Sequence, residues 1–211
     1  MPEMLRPGGM TITGSALREI ILIPNSRILD IGCGSGATVA YLRGLGYNAL
    51  GIDTTLPPDA PPELICADAA ALPFERGRFD AVFFECSLSK IVAPEAALFE
   101  AQRVLKPGGA LVVSDLFTHG EAAELSGLLG RIEPWNDIFI RLNAADFALQ
   151  YFEEFKDALA TFWGQLVFDY GLAEATALIS GNADATTQMR GCVDMLKSKD
   201  NSYFLAVLKA V

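Results

Sequence analysis

The sequence is short of positive charge. Its 211 residues hold 16 Lys and Arg against 26 Asp and Glu, a net charge of −10, and a single histidine, His119. Binding a phosphate backbone needs clustered Lys and Arg to displace counterions. The nearest approach to a cluster, Lys197 and Lys199, has Asp194 and Asp200 close by. No nucleic-acid partner is expected. Long apolar runs are also missing: none approaches the ~18–20 residues that span a bilayer, so no membrane segment is expected. The start, Met1-Pro2-Glu3-Met4, lacks a basic stretch followed by an apolar one and does not read as an export signal. Cysteine is scarce and unpaired in pattern. Cys33, Cys66, Cys86 and Cys192 give no CxxC and no zinc-ligand spacing, so no metal site is expected. Reduced thiols in a cytoplasmic protein are the natural reading.

What is present is apolar and alternating. Apolar residues make up 51% of the chain, enough for a sizeable core in one domain over residues 1–211, as a monomer or homodimer. Arg27–Ile31 is a short apolar run ending in Asp-x-Gly. A helical face follows in Ala37–Leu45, then strands at Ala49–Asp53, Glu63–Ala67 and Phe79–Phe84. Leu56–Pro62 carries four prolines and reads as a rigid connection. Pro94–Leu105 is amphipathic. Lys106-Pro107-Gly108-Gly109 stops it and turns the chain into a buried strand at Ala110–Ser114. Strands at Phe147–Phe152 and Tyr203–Lys209 flank a helical insertion that includes Lys156–Tyr170. Its residues Leu159, Phe162, Trp163, Leu166 and Val167 form a core-facing stripe. Alternating β and α units of this length give an α/β, Rossmann-like, doubly wound and mostly parallel sheet.

Gly32-x-Gly34-x-Gly36 follows the first strand and opens a helix. Ligands of such sheets bind beyond the carboxyl ends of the strands, and glycines let the backbone approach them. With Ala37 the same letters satisfy a dinucleotide pattern, and Asp53 lies where a ribose-binding acid belongs in either reading. Asp30, directly before the turn, separates the two. A carboxylate there is awkward beside a pyrophosphate and suits an ammonium group.

Ile28-Leu29-Asp30-Ile31-Gly32-Cys33-Gly34-Ser35-Gly36 resembles motif I of the class I S-adenosylmethionine-dependent methyltransferases. Gly51-Ile52-Asp53, Cys66–Phe74, Phe79–Val82 and Arg103–Gly109 resemble further motifs of that family in order, so the resemblance covers roughly residues 7–120. It implies a seven-stranded sheet with an antiparallel last strand. It implies S-adenosyl-L-methionine as cofactor and a small-molecule methyl acceptor. The cofactor residues it implies are Asp30, Gly32, Cys33, Gly34, Gly36, Asp53 and Thr54 for the amino acid and ribose, with Asp68 and the Ala69 N–H for adenine, and Glu85 at the end of the fourth strand. Asp68 also reads as an N-cap of a short helix. Residues 1–26 then form an N-terminal cap segment, 27–120 the cofactor-binding core and 121–211 a substrate-side region. Within the first of these, Arg6–Thr13 leads into a helix beginning near Ser15 and, in this family, such a segment often folds over the cofactor.

Glu85, Cys86 and His119 are the candidate catalytic residues, with Asp115 a rival base and Lys90 a possible attractor for an anionic acceptor. A free buried cysteine is most often a small apolar residue. The stretch around Cys86 also resembles arsenite methyltransferases, in which thiolates hold the metalloid, although Cys192 does not match their further cysteines. The absence of an Asn/Asp-Pro-Pro-aromatic sequence argues against nucleobase methylation. The sequence displays no decisive base, which favours a thiol, carbanion, carboxylate or metalloid acceptor over an unactivated alcohol. A nicotinamide-dependent oxidoreductase and a cofactor-binding module without turnover are the competing readings.

Overall fold

The computed structural model describes residues 6–124, 130–180, 194, 196 and 198–211. The elements run α1 (Gly9–Glu19), β1 (Arg27–Ile31), α2 (Ala37–Gly44), β2 (Asn48–Asp53), β3 (Leu64–Cys66), β4 (Phe79–Glu85), a 3-10 turn (Leu88–Lys90), α3 (Pro94–Val104) and β5 (Leu105–Thr118). They continue with β6 (Ala123–Glu124), β7 (Arg131–Ile132), α4 (Trp135–Ala144), β8 (Phe147–Phe155), α5 (Ala158–Tyr170), α6 (Leu172–Ser180) and β9 (Asn201–Ala210).

Seven strands form one sheet in the order β3-β2-β1-β4-β5-β9-β8. β1 pairs in parallel with β2 and β4, and β4 with β5; β9 is antiparallel to both its neighbours. The expected topology is therefore present. The order reverses between β1 and β4, which opens a crevice over the carboxyl ends of those strands. Period-two alternation splits the interior into two layers. Ile28, Phe83, Val112 and Tyr203 face α1, α2 and α5, while Leu29, Val82, Val113 and Phe204 face α3 and α4.

Several boundaries differ from the sequence reading, for local reasons. α1 begins at Gly9, not near Ser15, after Gly8 in the left-handed region at φ 70°. Its first turns, Met10-Thr11-Ile12-Thr13, are rich in β-branched residues of poor helix propensity, and burial of Ile12 and Thr13 overrides this. α3 does stop at Val104. Lys106–Gly109 is not a free turn but a bulge inside β5, where the pairing with β4 steps from Phe79↔Leu105 to Ala81↔Ala110. The short helix expected after Asp68 is a turn. β6, β7 and α4 had no clear signal. The insertion between β8 and β9 contributes the helices α5 and α6 among the described residues, and α5 buries Leu159, Phe162, Trp163 and Leu166 as its spacing required. Cys192 and Lys197 lie outside the described residues.

Candidate cofactor site and active site

The turn after β1 is tied down by its own backbone. The N–H groups of Gly32 and Cys33 both donate to the Ile52 carbonyl, at 2.8 and 3.0 Å. Gly32 and Gly34 hold positive φ, 76° and 52°. They differ in what surrounds them. A Cβ on Gly32 would sit 2.5 Å from Ser87 Cβ, whereas one on Gly34 would meet nothing within 4 Å. Gly32, like Gly36 against Leu64, is small because the protein fills the space. Gly34 presents bare backbone to an open crevice. Cys33 turns its side chain inward: a Cβ on Gly51 would lie 2.7 Å from the Cys33 sulfur. Burial, with the charges of Asp30 and Asp53, pushes the Cys33 thiol up, so it packs as a neutral group.

Three aspartates stand at or just beyond the ends of β1, β2 and β3. Asp53 Oδ2 accepts from Gly34 N at 2.9 Å, and Oδ1 from Thr55 N at 3.1 Å, which aims the carboxylate across the mouth of the turn. Thr54 is exposed beside it, its carbonyl accepting from the Cys66 thiol. Asp68 Oδ1 accepts from Ala70 N at 2.9 Å, capping a turn, while the N–H of Ala69 donates to no described residue. Asp30 is buried, and no described residue hydrogen-bonds its carboxyl group. Burial, then the charge of Glu85, pushes Asp30 up to about 8 against the pull of Arg6.

Glu85 is held elsewhere. Arg6 Nη1 lies 2.8 Å from Glu85 Oε1, Thr13 Oγ1 donates to the same oxygen at 2.9 Å, and Thr38 Oγ1 donates to Oε2 at 2.8 Å. Arg6 Nη2 also reaches Thr13 Oγ1 at 2.6 Å. Glu85 thereby clamps the N-terminal segment, α1 and α2 to the end of β4. In the sequence Glu85 and the segment Arg6–Thr13 carry separate signals, and nothing there marks Arg6, Thr13 and Thr38 as partners of Glu85, because no local pattern marks an ion pair between distant segments.

On the acceptor side, Cys86 is buried with φ 55°, and its N–H donates to Ser114 O at 2.6 Å. Burial and the charge of Asp115 push its thiol up to about 12, the opposite of a metal-binding thiolate. Among the described residues no group of three His, Cys, Asp or Glu is placed to hold a metal ion, and Cys66 is exposed at the far edge strand. Tyr203, fully buried on β9, gives its hydroxyl to Ser114 at 3.1 Å. Asp115 accepts from Ser89 N and Oγ, both at 2.9 Å, and so anchors the 3-10 turn. Lys90, on that turn, is exposed. His119 projects beyond β5, with Nε2 2.9 Å from Glu154 Oε1. The pair lines a cleft of about 370 Å³ with Lys156, Lys199 and Asn201.

Residues 29–113 match a family model described as a methyltransferase domain. Demethylmenaquinone methyltransferase of Renibacterium salmoninarum is 36% identical over 106 residues, 46% of this chain and 44% of that protein. Malonyl-[acyl-carrier protein] O-methyltransferase of Pseudescherichia vulneris is 30% identical over 165 residues, 72% of this chain and 62% of that one. Among solved structures, Haemonchus contortus phosphoethanolamine N-methyltransferase 2 in complex with S-adenosyl-L-methionine superposes with TM-score 0.70 at 18% identity, over 99% of this chain and 54% of that one. With the sheet order and the glycine turn, these matches define the class: residues 29–113 form a methyltransferase domain on the doubly wound sheet of the class I S-adenosylmethionine-dependent methyltransferases. The chain spans less than half the length of the demethylmenaquinone methyltransferases it matches. No described helix is long and apolar enough to cross a membrane.

Proposed function

We propose that the protein transfers the methyl group of S-adenosyl-L-methionine to a small-molecule acceptor by in-line displacement. One observation carries this reading: Asp30, Asp53 and Asp68 stand at successive strand ends around the open backbone of Gly34. The donor set fits the cofactor. Asp30 is a buried acceptor without a hydrogen bond, suited to an ammonium; Asp53, with Thr54 beside it, suits ribose hydroxyls; Asp68 and the Ala69 N–H suit the adenine edge. Bound there, the cofactor supplies a methyl group already activated by its sulfonium. The protein's part is then to position the acceptor and exclude water.

Of the candidate catalytic groups, Glu85 is held by Arg6, Asp115 by Ser89, and Cys86 is a neutral thiol. His119 remains. Its Nε2 lies against Glu154 Oε1, which orients the ring, and the imidazole removes the acceptor's proton where one must leave. The relatives named above support a small acceptor group, free or carried: their names give demethylmenaquinone and malonyl-[acyl-carrier protein]. Residues 1–26 act as a cap, 27–120 as the cofactor core and 121–211 as the acceptor side of a single domain. A cytoplasmic location accords with the free thiols of Cys33, Cys66 and Cys86.

The test is labelled methyl transfer from S-adenosyl-L-methionine into a fractionated metabolite extract, beside thermal-shift titration with that cofactor and with NAD(H). Label entering one low-molecular-weight fraction, with stabilisation by the methyl donor alone, is expected. Stabilisation by NAD(H) alone overturns the reading.

A further inference from the structure

Asp30 and Glu85 belong to adjacent parallel strands and to the same face. Asp30 stands in register with Phe83, and Glu85 follows two residues later, so the alternation of side chains brings both carboxyl groups under α1 and α2. Each element packed around them contributes a group. The N-terminal segment brings Arg6, α1 brings Thr13, α2 brings Thr38, β2 brings Asp53, and the glycine turn brings the neutral Cys33. Arg6 and the two threonines contact Glu85 directly, Arg6 also bonding both threonine hydroxyls, while at Asp30 Arg6 acts as a neighbouring charge. Asp30 receives no hydrogen bond, although it is only 3% exposed.

Among the described residues the buried set therefore holds two carboxyl groups and one guanidinium. An ionised carboxylate without a partner is costly in such a place, and two of them near one cation settle into one charged and one protonated member. Glu85, with the ion pair and both threonine hydroxyls, is the charged member. Asp30 is the protonated one, consistent with burial and the Glu85 charge pushing it up to about 8.

Resting on the cofactor reading above, we propose that this triad is built one positive charge short, and that the α-ammonium of an S-adenosyl ligand supplies it while Asp30 releases one proton to solvent. The ammonium keeps its own protons. The Asp30 O–H bond breaks, its electron pair stays on the carboxylate, and the proton goes to the buffer. Asp30 is thus a specificity-determining residue. It favours ligands that carry the amino-acid moiety, and it makes their affinity rise about tenfold per pH unit below about pH 8.

The experiment is isothermal titration at pH 7 in buffers of different ionisation enthalpy. The probes are S-adenosylhomocysteine and 5′-methylthioadenosine, which shares the nucleoside and sulfur but has no ammonium. The expected result is release of about one proton with S-adenosylhomocysteine and none with methylthioadenosine. Asp30→Asn should abolish the release and weaken S-adenosylhomocysteine while leaving methylthioadenosine unchanged. Binding of S-adenosylhomocysteine with no proton exchange overturns the proposal and leaves the cofactor reading standing. Release that persists in Asp30→Asn, or that also accompanies methylthioadenosine, assigns the proton to another group and overturns it too. Failure of the wild-type protein to bind either ligand overturns the cofactor reading itself. The comparison of two ligands on the wild-type protein decides the matter whether or not the variant folds.

Discussion

Arg6 and Glu85 meet at 2.8 Å with side chains only 6% and 3% exposed, across 79 residues of sequence. A buried pair of this kind contributes little net stability, yet breaking it strands a charge. Arg6→Met should cost about 3–5 kcal/mol of unfolding free energy in urea titration. Arg6→Met/Glu85→Leu should recover much of that loss, because neither charge then remains. A single variant as stable as the wild type would show that the pair is not buried in solution.

Asp30 makes a second prediction, with a sign opposite to that of most carboxylates. Its folded value of about 8 lies above the 3.8 of a free aspartate, so the native state holds a proton that the unfolded chain has lost between those limits. This group's contribution to stability is therefore full at low pH and falls as pH rises from about 4 to about 8. Asp30→Asn removes the slope. In the cofactor-free protein the variant should melt higher than wild type at pH 8, by about 2–4 °C for each kcal/mol, and the gap should close toward pH 4–5. A variant that melts lower at pH 8 contradicts the assignment.

Asp53 has two duties, the Gly34 N–H at 2.9 Å and the proposed ribose contact. Asp53→Ala should weaken cofactor binding by about 1–3 kcal/mol, the scale for hydrogen bonds to a charged group. A dissociation constant unchanged by the substitution would remove Asp53 from the site.

Cys86 sits in a left-handed backbone conformation that glycine adopts without strain, and its thiol stays protonated at neutral pH. Cys86→Gly should fold and keep methyl transfer. Iodoacetamide at pH 7, followed by peptide mass analysis, should label the exposed Cys66 well before Cys86. Rapid labelling of Cys86, or collapse of transfer in the variant, would give the thiol a chemical role.

His119→Asn tests the base. Removing a positioned proton acceptor should lower kcat by about 10²–10⁴ while the KM for the methyl donor stays put. Glu154→Gln should lower kcat less and alter the pH profile. Unchanged kcat in His119→Asn would mean that the acceptor needs no base.

Much of the fold was legible because its signals are local. Apolar strand runs, the proline-rich connection and the 3.6-residue stripe of α5 each depend on neighbours a few residues away. The glycine turn and the aspartates at strand ends were legible for the same reason. A parallel strand must deliver its last residues to the same edge of the sheet, so residues spaced one unit apart converge there. β6, β7 and α4 were not legible, since a pair of two-residue strands and a helix started by Pro134 carry little pattern of their own.

The sequence alone determined where the crevice lies and which acids border it. Only the tertiary structure decided what those acids do. It turned Cys33 inward onto Gly51, left Gly34 open, committed Glu85 to Arg6 and left Asp30 without a partner. The physical reason is that periodicity assigns a residue to a face, whereas its charge state depends on which distant groups share the same low-dielectric space.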